Sequence, residues 1–196
     1  MQFKYGFIGI GNMGAIILDA VMKKANGNKM CACDSDVQKI QRVTSLGVTA
    51  VDAKTAAASS KYLFIGVKPQ GLEGLFGEIK DQISEDTVIV SMAAGKEIST
   101  IEKLCKDKAK IIRIMPNTAV AVGEGVILYC YNKNVLSILF QAINILLIEG
   151  LFSFCCIKIV DAICICFFYL TTYHLHCTVN HLILFCKRFR KNSKCT

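Results

Sequence analysis

Through residue 130 two patterns take turns along the chain: short, dense apolar runs, and longer stretches whose apolar positions recur at helical spacing. The run Phe3 to Ile8 predicts a strand, and Ala15 to Lys24 a helix. Asn26-Gly27-Asn28 turns the chain into a second strand over Lys29 to Cys33. Asp36 to Leu46 reads as a helix, stopped by Gly47 where a C-terminal glycine belongs. Val48 to Val51 predicts a short strand, and Ala53 to Ser59 an alanine-rich helix. Tyr62-Leu63-Phe64-Ile65-Gly66-Val67 is apolar throughout, as a strand covered on both faces is. Leu72 to Ile83 predicts a helix, Thr87 to Ser91 a buried strand, Glu97 to Lys106 a helix, Lys110 to Ile114 a strand, and Gly125 to Cys130 a last strand. This βαβ rhythm with short turns predicts an α/β fold on a doubly wound, Rossmann-type, mostly parallel sheet.

From about Leu136 the rhythm is lost, which divides the chain into a domain over 1–134 and an apolar tail over 135–196, expected to be helical or poorly ordered. Composition sharpens the division. Residues 1–130 carry 16 Lys and Arg against 13 Asp and Glu, whereas 131–196 carry 7 against 2, so the excess of positive charge belongs mainly to the tail. Thirteen of the 14 glycines and both prolines precede residue 130, while seven of the 11 cysteines follow Gly150. Val135 to Ile148 is too short to cross a bilayer. Leu151 to Leu170 is long enough but holds Lys158 and Asp161, and each charge near a span's centre costs about 2.5–3.5 kcal/mol. A membrane anchor is therefore the less favoured reading.

His174, His176, Cys177, His181 and Cys186 have soft-ligand chemistry but match no standard zinc spacing, so no metal is expected. The basic end, Lys187 to Lys194, reads as a solvated charge run rather than a nucleic-acid or lipid contact. The abrupt joint loss of glycine, proline and acidic residues favours an out-of-frame or read-through translation as the origin of the tail. The N-terminus begins as a strand without a secretory pattern, and Cys31, Cys33, Cys105 and Cys130 sit singly among apolar neighbours, which together predict a cytoplasmic protein.

The candidate chemistry begins at the first strand-to-helix joint. Gly9-Ile10-Gly11-Asn12-Met13-Gly14 lies there, with Asp34 twenty positions beyond its last glycine. A dinucleotide fingerprint needs this pattern: Gly9 for a tight turn, Gly11 for close approach of a pyrophosphate, and Gly14 for close packing of helix on strand. The free N–H groups and positive dipole end of the following helix would favour the phosphates. Asp34 is placed to accept hydrogen bonds from the ribose hydroxyls of an adenosine, or to cap the next helix. Its charge would repel a 2′-phosphate, to which Ser35 could donate, so NAD(H) and NADP(H) both stay open.

Val67-Lys68-Pro69-Gln70 follows the fourth strand, and its lysine could face phosphate or the nicotinamide end, or simply be solvated. The small residues Ala93, Ala94 and Gly95 after Ser91 would let a planar ring lie against the backbone. Arg113-Ile114-Met115-Pro116-Asn117-Thr118 ends the sixth strand in a turn carrying an amide and a hydroxyl. Gly9, Asp34, Lys68, Ala93 and Asn117 all fall just past strand ends, so they converge on the edge where such sheets bind ligands.

Taken in order and at this spacing, Phe7 to Gly14, Val67 to Gln70, Ser91 to Gly95, Arg113 to Thr118 and Val122-Gly123-Glu124-Gly125 resemble pyrroline-5-carboxylate reductase. The resemblance covers roughly residues 1–134. It implies hydride transfer from NAD(P)H to the C=N carbon of 1-pyrroline-5-carboxylate, giving L-proline. It also implies that Gly9 to Gly14 hold the pyrophosphate and that Lys68, Pro69, Ala93 and Asn117 line the nicotinamide end. No residue is singled out as a catalytic acid.

Two departures are minor in scale: Ala119 stands where the family usually has a second proline, and Asp34 where hydroxyl residues often favour NADPH. The larger departure lies after Leu136. The family's helical dimerisation domain carries a Ser-Gly-Ser-(Gly or Ser)-Pro-Ala segment and a Ser-Pro-Gly-Gly-Thr segment that hold the substrate, and neither string occurs here. The homo-oligomer usual in the family is therefore in doubt. The expectation is a truncated reductase that binds cofactor with little turnover, against two alternatives: a non-catalytic NAD(P)-binding module, tethered or not, and a related reductase acting on another substrate.

Overall fold

The computed structural model describes residues 2–105, 109–122, 126–135 and 155–158. Strand β1 (Phe3–Ile8) leads into α1 (Asn12–Met22), followed by β2 (Met30–Cys33), α2 (Val37–Ser45), β3 (Thr49–Ala50), α3 (Ala53–Ser59) and β4 (Ser60–Ile65). The chain continues through α4 (Leu72–Ile79), β5 (Val88–Ser91), α5 (Ile98–Leu104), β6 (Lys110–Pro116), β7 (Val126–Tyr131) and β8 (Cys155–Lys158). One sheet takes all of these strands in the order β3-β2-β1-β4-β5-β6-β7-β8.

Pairing is parallel throughout except between β6 and β7. The reversal follows from chain length. A parallel return needs a crossover of a dozen or more residues. Nine residues, 117–125, link Pro116 to Val126, enough for a return alongside but not over the sheet.

Side chains of the central strands alternate between two cores. Phe7, Phe64, Val90 and Ile112 pack on one face with Ile17, Leu18 and Val21 of α1 and Val43 of α2. Ile8, Leu63, Ile89 and Ile111 pack on the other with Ala56 and Ala57 of α3, Phe76 of α4 and Ile101 of α5. The unbroken apolar runs of the sequence are thus strands with a helical layer on either side. Phe7 and Phe64, partners in the β1–β4 register, stack with centroids 4.6 Å apart and planes 7° apart.

Element boundaries differ from expectation at instructive points. The Tyr62–Val67 run predicts a strand there, whereas β4 starts at Ser60 and ends at Ile65. Helix α3 runs straight into it, and polar Ser60 is buried because its carbonyl accepts from the Thr87 hydroxyl at 3.0 Å and its Oγ lies 3.4 Å from Cys31 Sγ. Helix α4 stops at Ile79 rather than Ile83, closing in a turn in which Gln82 N–H donates to the Ile79 carbonyl. Of the tail only Val135 and Cys155–Lys158 are described, the latter as a strand parallel to β7. His174, His176, Cys177, His181 and Cys186, the basic end, and most of the 151–170 window fall outside the described residues.

Candidate dinucleotide site at the strand reversal

The order of strands reverses between β1 and β4: β2 and β3 lie beyond β1, and β5 and β6 beyond β4. A crevice opens at such a point, above the carboxyl ends of the strands. Gly9 leaves β1 there and Gly66 leaves β4 beside it. Gly9 takes φ +88°, a left-handed conformation that side chains with a Cβ adopt at a cost of about 1–2 kcal/mol. A Cβ on Gly9 would lie 2.7 Å from the Gly66 carbonyl carbon, and one on Gly66 would lie 2.4 Å from the Gly9 oxygen. A Cβ on Gly14 would lie 2.3 Å from that same oxygen. Three glycines are therefore required by backbone touching backbone. Gly66 was not among the sequence candidates; the signal for it was a lone glycine inside an otherwise apolar run.

Gly11 differs from all three. Its backbone is ordinary for any residue (φ −67°, ψ −173°), and a Cβ there would meet nothing within 4 Å. It stands at the N-cap of α1, where no side chain caps the helix and the first turn holds no acidic residue. Helices α2 and α3, by contrast, are capped by Asp36 and Asp52, which accept from Gln38 N–H and Thr55 N–H. The first N–H groups of any helix have no intrahelical partner. At α1 no side chain caps them, and the space beside Gly11 is open, a combination that could hold a pyrophosphate. Asn12 is exposed, Met13 half-buried, and Ile10 points into the core.

The end of β2 grips this turn twice. Gly9 N–H donates to the Cys33 carbonyl at 2.9 Å, and Ile10 N–H donates to Asp34 Oδ2 at 2.5 Å. Asp34 Oδ1 accepts from Asp36 N–H at 2.9 Å and lies 3.7 Å from Lys39 Nζ. The helix-cap role open to Asp34 thus falls to Asp36, two residues on, because only Asp36 is adjacent to the first turn of α2. Ser35 is exposed between them. Burial, then the negative charge of Asp34, pushes the Cys33 thiol up, which keeps it protonated and a poor nucleophile.

The other candidates share the edge but are held more loosely. Val67 packs against the core, Lys68 is exposed, and Pro69 opens the turn Pro69–Gly71. Ala93 turns its methyl into the core, with its N–H donating to Ser91 Oγ at 3.3 Å, while Ala94 and Gly95 are exposed. Asn117 is exposed and its carbonyl accepts from Val120 N–H at 3.1 Å. Lys39, missed by the motif, joins the site only because α2 folds its first turn back over Asp34.

Among the described residues, no group of three or more His, Cys, Asp or Glu could hold a metal ion, and no helix is long and apolar enough to cross a membrane. Cys31, Cys33, Cys105 and Cys130 are not disulfide-bonded.

With this geometry in view, a protein-family model described as "NADP oxidoreductase coenzyme F420-dependent" matches residues 4–95, from β1 to the loop after β5. The pyrroline-5-carboxylate reductase of Aquifex aeolicus is 32% identical over 135 residues, 68% of this chain and 50% of that protein. The N-terminal two thirds of this chain is similar to pyrroline-5-carboxylate reductase. The reductase of Arabidopsis thaliana agrees, at 32% over 130 residues, 63% of this chain and 46% of that protein. The chain spans about half the length of the curated relatives it matches. Among solved structures, the reductase of Plasmodium falciparum with NADP bound superposes with a TM-score of 0.71 at 22% identity, covering 94% of this chain and 67% of that one. That of Coxiella burnetii gives 0.72 at 19%, covering 98% and 78%. These last two likenesses establish the fold.

Proposed function

We propose that residues 1–134 form a domain that binds a nicotinamide dinucleotide, NADPH or NADH, and that the protein is a pyrroline-5-carboxylate reductase acting in proline synthesis. The observation that carries the binding reading is Gly11: the protein itself leaves room for a side chain there, and a ligand backbone is what fills it. Gly9, Gly14 and Gly66 hold the turn, Ile10, Asn12 and Met13 complete it, and the open N-terminus of α1 receives the pyrophosphate. Asp34 and Ser35 stand at the adenosine ribose. Val67, Lys68, Pro69, Ala93, Ala94, Gly95 and Asn117 border the nicotinamide end, where Ala94 and Gly95 present no bulk to a flat ring.

A bound reduced nicotinamide supplies the hydride for the C=N carbon of 1-pyrroline-5-carboxylate. The reaction class rests on the motifs and on the reductase relatives. Holding hydride donor and imine in attack geometry is worth about 7–11 kcal/mol of barrier. Residues 135–196 contain neither segment that the family resemblance assigns to the substrate, so these 196 residues on their own are expected to bind cofactor and turn over weakly. Four thiols without disulfides support a cytoplasmic location.

Titration of NADH and NADPH fluorescence against the wild type and Gly11→Ala tests the binding reading. The variant keeps its melting temperature and loses at least about tenfold in affinity for the dinucleotide it binds. Equal affinity in the variant removes the pyrophosphate from this turn. Robust proline formation by the 196-residue chain overturns the weak-turnover reading alone.

A further inference from the structure

We propose that Asn26 is a site of spontaneous deamidation, at which the link between α1 and β2 ages into aspartate and isoaspartate at a rate set by one local hydrogen bond. Of the asparagines in the sequence, only Asn26 is followed by glycine. A Cβ on the following residue hinders ring closure, and glycine has none. The fold keeps both reacting groups available. Asn26 is exposed, and its side chain caps nothing at the short helical turn Gly27–Lys29. The Gly27 N–H opens that turn, among the donors that a helix end leaves without an internal partner. Packing also demands the glycine: a Cβ on Gly27 would lie 2.7 Å from the Leu46 oxygen and 2.8 Å from the Gly47 carbonyl carbon. The labile pair is thus held in place by the fold itself.

Water is the only co-reactant. The Gly27 nitrogen, having lost its proton to solvent, attacks Asn26 Cγ; the new C–N bond closes an imide ring, and the side-chain nitrogen leaves as ammonia. Water then opens the imide at either carbonyl, giving aspartate, or isoaspartate, in which the main chain runs through the former side chain. Closure requires the Gly27 nitrogen to eclipse Cβ of Asn26, whereas the backbone there is extended, with φ −67° and ψ 142°. Rotating ψ swings the Asn26 carbonyl away from Lys29 N–H, which donates to it at 3.0 Å. That bond is the gate, and a single one slows the reaction by about tenfold at most. The products differ in what they do to the fold. Aspartate caps a helix as well as asparagine does. Isoaspartate adds a methylene to the main chain directly before Gly27, which already touches the Leu46–Gly47 backbone, and three residues further on Met30 begins β2 fully buried.

The test ages the full chain at neutral pH beside a synthetic peptide of residues 23–30, follows both by peptide mass spectrometry, and labels isoaspartate with a protein isoaspartate methyltransferase. Asn26 converts while Asn28, equally exposed in the same turn but followed by lysine, stays intact. The chain reacts no more than about tenfold more slowly than the peptide. The aged fraction carrying isoaspartate melts below the wild type, whereas Asn26→Asp melts with it. Conversion of Asn28 as fast as Asn26, or of neither, overturns the site. A greater slowing, the mark of a position that opens only with wider unfolding, overturns the local gate. Equal melting of the isoaspartate fraction and Asn26→Asp overturns the role given to the added methylene.

Discussion

The two ends of the same sheet edge are built on opposite principles. At the β1–β4 seam every glycine but one is demanded by the protein: Gly9, Gly14 and Gly66 occupy one another's space, and β2 adds two hydrogen bonds to the turn. Past β5 and β6 the candidate residues Ala94, Gly95 and Asn117 lie at the surface, and of the candidates there Ala93 alone is set into the core. The seam is built wholly from residues of the first 66 positions, and on the proposed reading it is where the phosphates are gripped. The far end is a platform, shaped by what it leaves out, and needs something laid across it. A grip survives the loss of neighbouring elements; a platform has no chemistry until covered.

Mutations at the seam should therefore cost stability, and mutations at the platform should not. The largest effect is expected from Phe64→Ala, which empties a fully buried site stacked on Phe7 and should cost about 3–5 kcal/mol in denaturant unfolding. A loss under about 1 kcal/mol would show that the two-layer core is not what holds the seam. Next comes Gly14→Ala, whose Cβ meets the Gly9 oxygen and should cost about 1–3 kcal/mol, with Gly11→Ala beside it unchanged. Equal losses at positions 11 and 14 would erase the distinction between internal packing and ligand space.

A smaller effect concerns acid. Hydrogen bonding from Thr55 N–H holds the Asp52 carboxyl at the N-terminus of α3 below its ordinary value of 3.8. Its contribution is thus present above that value and lost as pH falls through the lower folded-state pKa. Melting curves between pH 7 and 3 should show Asp52→Asn, which keeps a capping oxygen, losing less stability on acidification than the wild type. A parallel decline in both proteins would remove Asp52 from the acid response.

The smallest stability effect belongs to the platform. Ala94→Leu should leave the melting temperature unchanged and weaken the whole dinucleotide while sparing ADP-ribose, which lacks the nicotinamide ring. Equal weakening of both ligands, measured by calorimetry, would move Ala94 away from the nicotinamide end.

Much of this was legible in the chain. Alanine-rich Ala53–Ser59 is a helix to the residue, because its capping Asp52 and its two buried alanines are local signals. The seven strands anticipated through residue 130 are all present; for the central ones, a run apolar on both faces has few other ways to be buried. Less legible were boundaries set by partners rather than by periodicity. Ser60 begins β4 because it fits against Gly6 and Thr87, and nothing in its own neighbourhood announces that. Gly66 matters because Gly9 lies across from it, 57 residues away in sequence.

The sequence by itself determined the succession of strands and helices, the glycine turn and its place after the first strand, because each rests on interactions within a few residues. Only the tertiary structure decided that Gly66 is held against Gly9 and that Asp34 faces the turn. Those outcomes depend on which strand lies beside which, and hence on contacts between residues that are distant along the chain until the sheet has formed.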